Sequence, residues 1–97
     1  MSLTAKQKNY LRALAQHRRV IVTVGTAGLT ELVLIELDNA LARHELLKVR
    51  LPAIHRDERA AIVEKISGSL RAELIQAIGR VGVFYRPAEK PKITFPV

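Results

Sequence analysis

The chain contains no cysteine and no tryptophan, and its aromatic residues number four: Tyr10, Phe84, Tyr85 and Phe95. Without cysteine there is no disulfide framework, no thiolate metal ligand and no thiol nucleophile. Long apolar runs are missing too. None approaches the length that crosses a bilayer, and Met1-Ser2-Leu3-Thr4-Ala5-Lys6 lacks the apolar stretch of a secretion signal. The expectation is a soluble cytoplasmic protein with no membrane partner. Acid is absent from the start of the chain: residues 1–20 carry Lys6, Lys8, Arg12, Arg18 and Arg19 and neither Asp nor Glu. An all-positive run repels itself, so mutual pairing does not account for it.

What is present fits one domain, residues 1–97, with one hydrophobic core; 48% of residues are hydrophobic and 26% charged. The net charge is +7 and the isoelectric point near 10.4. Residues 21–42 reverse the sign with Glu31, Glu36 and Asp38, and residues 43–97 return to a basic excess. A basic lobe of this kind favours a polyanionic partner.

The richest segment is Val20-Ile21-Val22-Thr23-Val24-Gly25-Thr26-Ala27-Gly28-Leu29-Thr30. A β-branched run predicts a strand over 20–24, a Gly-x-x-Gly turn ends it, and Thr30 caps a helix over about Glu31 to Arg43. Two glycines let the backbone turn sharply and remove side chains that would hold a ligand away. The helix start aims unpaired N–H groups and the positive end of its dipole at the same place, which suits a phosphate. No Gly-Lys-Ser/Thr follows, so this is not a nucleotide-binding P-loop. The loop interior is Thr26-Ala27, without a base, so phosphate contact rests on backbone N–H groups, the Thr26 hydroxyl and nearby cations.

Elsewhere, Thr4 and Gln7 form a capping box that starts a first helix with Leu11, Leu14 and Ala15 as its apolar stripe. In the second helix Val33, Leu34, Leu37, Ala40 and Leu41 share one face, while Leu32 and Ile35 fall on the other. Residues 46–51 alternate as a strand with Leu47, Val49 and Leu51 inward and Lys48 and Arg50 outward. A third helix begins near Asp57 with Ile62, Val63, Ile66 and Leu70 buried. Strands over 72–78 and 82–86 flank a Gly79-Arg80-Val81-Gly82 hairpin turn. The proline-rich residues 88–97 form an extended tail that Ile93 and Phe95 can pin to the body. The order α-β-α-β-α-β-β predicts an α/β protein of the α+β two-layer kind: a mixed four-stranded sheet with helices on one face and the second face partly open.

The ordered set Leu3-Thr4-x-Lys6-Gln7-Lys8-x-x-Leu11-Arg12-x-Leu14-Ala15, Gly25-x-x-Gly28-Leu29-Thr30, His44-Glu45-Leu46-Leu47-Lys48-Val49, Ile78-Gly79-Arg80 and Phe84-Tyr85-Arg86-Pro87 resembles the CRM domain (chloroplast RNA splicing and ribosome maturation) of the small bacterial YhbY type. The resemblance covers essentially the whole chain. It implies a fold similar to the C-terminal domain of translation initiation factor three, with sheet order 1-2-4-3. It also implies non-enzymatic RNA binding and, for the stand-alone bacterial form, association with ribosomal RNA of the large-subunit precursor.

Together these readings nominate Gly25, Thr26, Ala27, Gly28, Leu29 and Thr30, with Lys6, Lys8, Arg12, Arg18 and Arg19, as the RNA-binding set, and Lys48 and Arg50 as a second surface. Four aromatics supply base stacking poorly, and Phe84 and Tyr85 alternate, so only one can face outward; phosphate or shape recognition is favoured. Histidines 17, 44 and 55 lack metal spacing, and His44 suits the carbonyl end of the second helix. No nucleophile, base and orienter set exists, so no enzyme, cofactor or small-molecule substrate is expected. A monomer is expected. The alternative is a protein-interaction module that docks on a ribosomal protein or processing factor through Leu32, Ile35 and the acidic second helix.

Overall fold

Thr4 opens the first helix as its spacing from Gln7 predicts. Its hydroxyl accepts from the Gln7 N–H (3.1 Å), and Gln7 Oε1 accepts from the Thr4 N–H (2.9 Å). In this computed structural model, which describes residues 2–96, the elements are α1 (Ala5–Ala15), β1 (Val20–Thr23), α2 (Glu31–His44), β2 (Leu46–Arg50), α3 (Arg56–Leu70), β3 (Glu73–Ile78) and β4 (Val81–Tyr85). Met1 and Val97 lie outside the described residues. The predicted α+β element order is therefore observed. The sheet runs β1-β2-β4-β3, with β1 parallel to β2 and β4 antiparallel to both of its neighbours.

Boundaries shift where local chemistry is tighter than the sequence pattern suggests. His55 caps α3 through Nδ1, which accepts from the Asp57 N–H at 3.2 Å, so the helix starts at Arg56. The β3–β4 turn needs only Gly79 and Arg80, since Ile78 already pairs with Val81; Gly79 takes the positive φ (55°) that opens such a two-residue turn.

The expectation of helices on one face and an open second face is corrected. One cluster joins Leu37 and Leu41 of α2, Val63 and Ile66 of α3, and Val22, Leu47, Val49 and Phe84 of the sheet. A second joins Leu11 and Ala15 of α1 to Leu46, Ile75, Val83 and Tyr85, with Ile93 and Phe95 of the tail packed on it. Adjacent residues in β2 and β4 fall into different clusters (Leu46 and Leu47, Phe84 and Tyr85), which alternation permits only if both faces are covered. Phe84 and Tyr85 are thus both buried, and neither is a stacking platform. The apolar stripe of α1 has no other surface on which to lie, so it docks across the second face.

Residues 88–96 form no helix or strand. They are held by Phe95, edge-on to Tyr10 and Tyr85 with ring centres 5.7 and 6.0 Å away, and by the buried Glu45 carboxylate. That carboxylate accepts from the backbone N–H groups of Ala88 (2.8 Å), Lys92 (2.7 Å) and Ile93 (3.0 Å). Arg86 ties the two helices of the first face together. It donates to Asp38 Oδ1 (2.7 Å) and to the carbonyls of Asp38 and Leu70 (3.0 Å each).

Candidate nucleic-acid interface

The Gly25–Gly28 loop joins the C-terminal end of β1 to α2. The Gly28 N–H donates to the Gly25 carbonyl (3.0 Å) and the Thr30 N–H to the Gly28 carbonyl (3.1 Å), which folds the loop into two consecutive tight turns. Thr30 caps α2: its hydroxyl accepts from the Val33 N–H (3.2 Å) and its carbonyl from the Leu34 N–H (3.0 Å). Leu29 packs on the first core cluster and fixes the approach of the chain. Among the described residues, the N–H groups of Thr26, Ala27, Leu29, Glu31 and Leu32 have no protein acceptor. They form a shallow patch of donors at the positive end of α2.

The two glycines answer different needs. Gly28 has φ +78°, a conformation an L side chain resists. Gly25 does not lie in that region, and a Cβ added there would meet nothing within 4 Å. The fold itself therefore asks for glycine at 28 and not at 25.

The predicted cations are divided by the sheet. Lys8 pairs with Glu73 at the start of β3 (3.4 Å). Arg18 reaches the carbonyls of His44 (3.5 Å) and Leu46 (3.4 Å) at the start of β2. It thus occupies the carbonyl end of α2 that sequence reading gave to the His44 imidazole. Arg19 is exposed beside it, and Lys6 is exposed beside Tyr10 and Phe95. All four sit toward the N-terminal end of β1, β2 or β3. The glycine loop lies past the far end of β1, roughly 13 Å along the strand.

Two other bases, Arg50 and Arg80, lie at the loop's own end. Arg50 is exposed and in register with Thr23 of β1, and its carbonyl accepts from the Val24 N–H (2.8 Å) one residue before the loop. On the same face Arg12, Gln16, Lys48 and Gln76 line a groove between α1 and the sheet that contains no acid. Lys48 Nζ donates to the Ala15 carbonyl at its edge (3.4 Å). Arg80, at the hairpin tip, donates through Nε to the Leu51 carbonyl (3.1 Å). Sequence reading missed Arg80, Gln16 and Gln76; the hairpin register that carries Ile78 and Val81 to this end was the available signal for Arg80.

Among the described residues no three His, Cys, Asp or Glu side chains come together as a metal site, and no helix is long and apolar enough to cross a membrane.

The CRS1 / YhbY (CRM) domain family matches residues 3–86. An "RNA-binding protein" of Haemophilus influenzae is 42% identical over 95 residues, covering 98% of this chain and 96% of the relative. A "probable RNA-binding protein" of Pseudomonas aeruginosa is 40% identical over 91 residues, covering 94% and 88%. The solution structure of a hypothetical protein from Staphylococcus aureus superposes with a TM-score of 0.82 at 36% identity, covering 98% of this chain and 100% of that one.

Proposed function

This chain belongs to the CRS1 / YhbY (CRM) domain family; we propose that it is a non-enzymatic RNA-binding protein that grips RNA phosphates with the Gly25–Gly28 loop and the basic groove beside it, and that its target is ribosomal RNA of the large-subunit precursor. The observation that carries this reading is Gly25. A glycine that neither backbone conformation nor packing requires leaves open space at the surface, next to a patch of unpartnered N–H donors at a helix start. A phosphate oxygen can enter that space and be met by several donors without displacing a side chain. Arg50, Arg12, Lys48 and Arg80 extend the positive surface away from the loop for the next phosphates. Lys6 and Arg19 act from farther out. Lys8, its charge paired with Glu73, and Arg18, bound to carbonyls at the end of the sheet away from the loop, contribute more to the fold than to RNA.

The ribosomal target draws its support from the family likeness. Crosslinking in cells followed by sequencing of attached RNA tests it: large-subunit precursor sequences should dominate, and a spread over messenger RNAs would refute the target. Gly25→Asp tests the loop, because it adds bulk and negative charge at a position where the fold accepts a side chain. Binding should fall sharply while circular dichroism stays that of the wild type. Gly28→Asp should also bind weakly but cost about 1 kcal/mol of stability, since it must hold a left-handed φ. Wild-type affinity in Gly25→Asp would remove the loop from the interface.

A further inference from the structure

The edge of the sheet beside the loop holds a second feature. Strand β1 is an edge strand, and its register on β2 slips between Val20 and Val22, leaving Ile21 as an extra residue. Bulges in edge strands re-aim side chains. Here Ile21 stays 49% exposed and lines a groove of about 260 Å³ with Val22 and with Glu36, Asn39, Ala40 and Arg43 of α2. On α2 the groove-lining residues continue at helical spacing to Ile35 (51% exposed) and Leu32 (79% exposed), which brings the stripe to the glycine loop. Leu32 to Arg43 spans roughly 16 Å of helix.

The groove has a definite pattern of chemistry. One end opens on the loop's unpartnered N–H groups, and the other carries Arg43, with Arg19 just before β1. Between them lie exposed isoleucines, and Asn39 and Glu36, whose side chains have no hydrogen-bond partner among the described residues. The outer edge of β1 leaves backbone donors and acceptors along the wall. N–H donors at one end, where exposed Glu31 also stands, and Arg43 at the other, around a middle of isoleucines, Asn39 and the Glu36 carboxylate, complement a single nucleic-acid strand, with phosphates at the ends and bases between.

We infer that this groove holds unpaired bases of an RNA strand whose phosphate is seated at the glycine loop, an inference that rests on the phosphate-gripping role given to that loop. The isoleucines contact base faces. Asn39 offers the donor–acceptor pair that matches adenine, and Glu36 accepts from an exocyclic amine, so adenine and cytosine are favoured over uracil. A duplex does not enter, because its bases stay stacked and its edges do not reach a slot between a strand and a helix.

The test measures fluorescence anisotropy with three probes: a short oligoadenylate, an oligouridylate of equal length and a mixed-sequence RNA duplex. Wild type should prefer oligoadenylate. The double variant Ile21→Ser, Ile35→Ser should lose about tenfold in oligoadenylate affinity, in proportion to the apolar contact removed, with duplex affinity unchanged. Asn39→Ala should erase the preference for adenine. Both isoleucines are exposed, so circular dichroism should not change. Equal single-strand affinity in the double variant overturns the inference alone and leaves the apolar stripe to a protein partner. An equal loss on single strand and duplex overturns it as well, as a general weakening. A wild type that binds none of the probes at low salt overturns the loop's role and this groove together.

Discussion

Glu45 sits immediately after α2 with φ 62°, a value rare outside glycine, and it is the one charged side chain buried among the described residues. Sequence offered no signal for it beyond its place after His44. Burial by itself raises its pKa, but the N–H groups of Ala88, Lys92 and Ile93 and the Lys92 ammonium outweigh burial and hold the carboxyl below its ordinary value of 4.5. The sign follows from linkage. A carboxyl that ionises more readily in the folded state stabilises that state above the unfolded pKa, and the contribution is lost as pH falls through the folded one. Protection factors for amide hydrogen exchange at Lys92 and Ile93, taken against the intrinsic rate at each pH, should therefore fall in acid below about pH 4.5, along with Glu45 protonation. Glu45→Ala strands three inward-facing N–H groups and should cost roughly 2–4 kcal/mol in urea denaturation. Glu45→Gln keeps one acceptor and should remove most of that pH dependence. The glycines show the same limit of local reading: Gly25 and Gly28 look alike in sequence, and only the backbone separates the one the fold requires from the one it does not.

At the scale of elements, helix and strand positions were legible because caps and alternation are local. Thr4, Thr30 and the β-branched run at Val20 each announce their element, and boundaries moved by a residue or two. The partner of α1 was not legible, because a narrow stripe of Leu11 and Ala15 does not say which surface it meets. Its place on the second face makes Leu11 a core residue: Leu11→Ala should destabilise the protein by about 2–5 kcal/mol in urea denaturation. A helix lying loose on the surface would tolerate the change. Thr30→Ala should cost about 1 kcal/mol through loss of the α2 cap, and it should weaken RNA binding more than that loss of stability explains, because the loop donors depend on the same turn. The slip at Ile21 was also invisible in sequence, where the strand reads as an unbroken β-branched run.

Across the whole molecule, the cationic total was plain in composition, but its division between the two ends of the sheet was not. Lys8 and Arg18 are engaged at the end where β1 and β2 begin, Arg50 and Arg80 stand at the loop's end, and Arg12 and Lys48 line the groove between. If the last four meet phosphates of a single strand, log affinity should fall with log salt at a slope of about −2.8, and Arg50→Ala should flatten it by about 0.7. Reversing Lys48 and Arg50 to Glu should weaken binding far more than reversing Lys6 and Lys8. The opposite ranking, read from salt titrations of the same probe, would move the interface to the far end of the sheet.

By itself the amino-acid order determined the elements, their sequence along the chain, the positive character and the glycine loop, since each depends on neighbours a few residues apart. Tertiary structure alone decided that both faces of the sheet are covered, that Glu45 holds the tail, and which arginines keep company with the loop. Those outcomes turn on contacts between residues tens of positions apart, which packing brings together and local pattern does not encode.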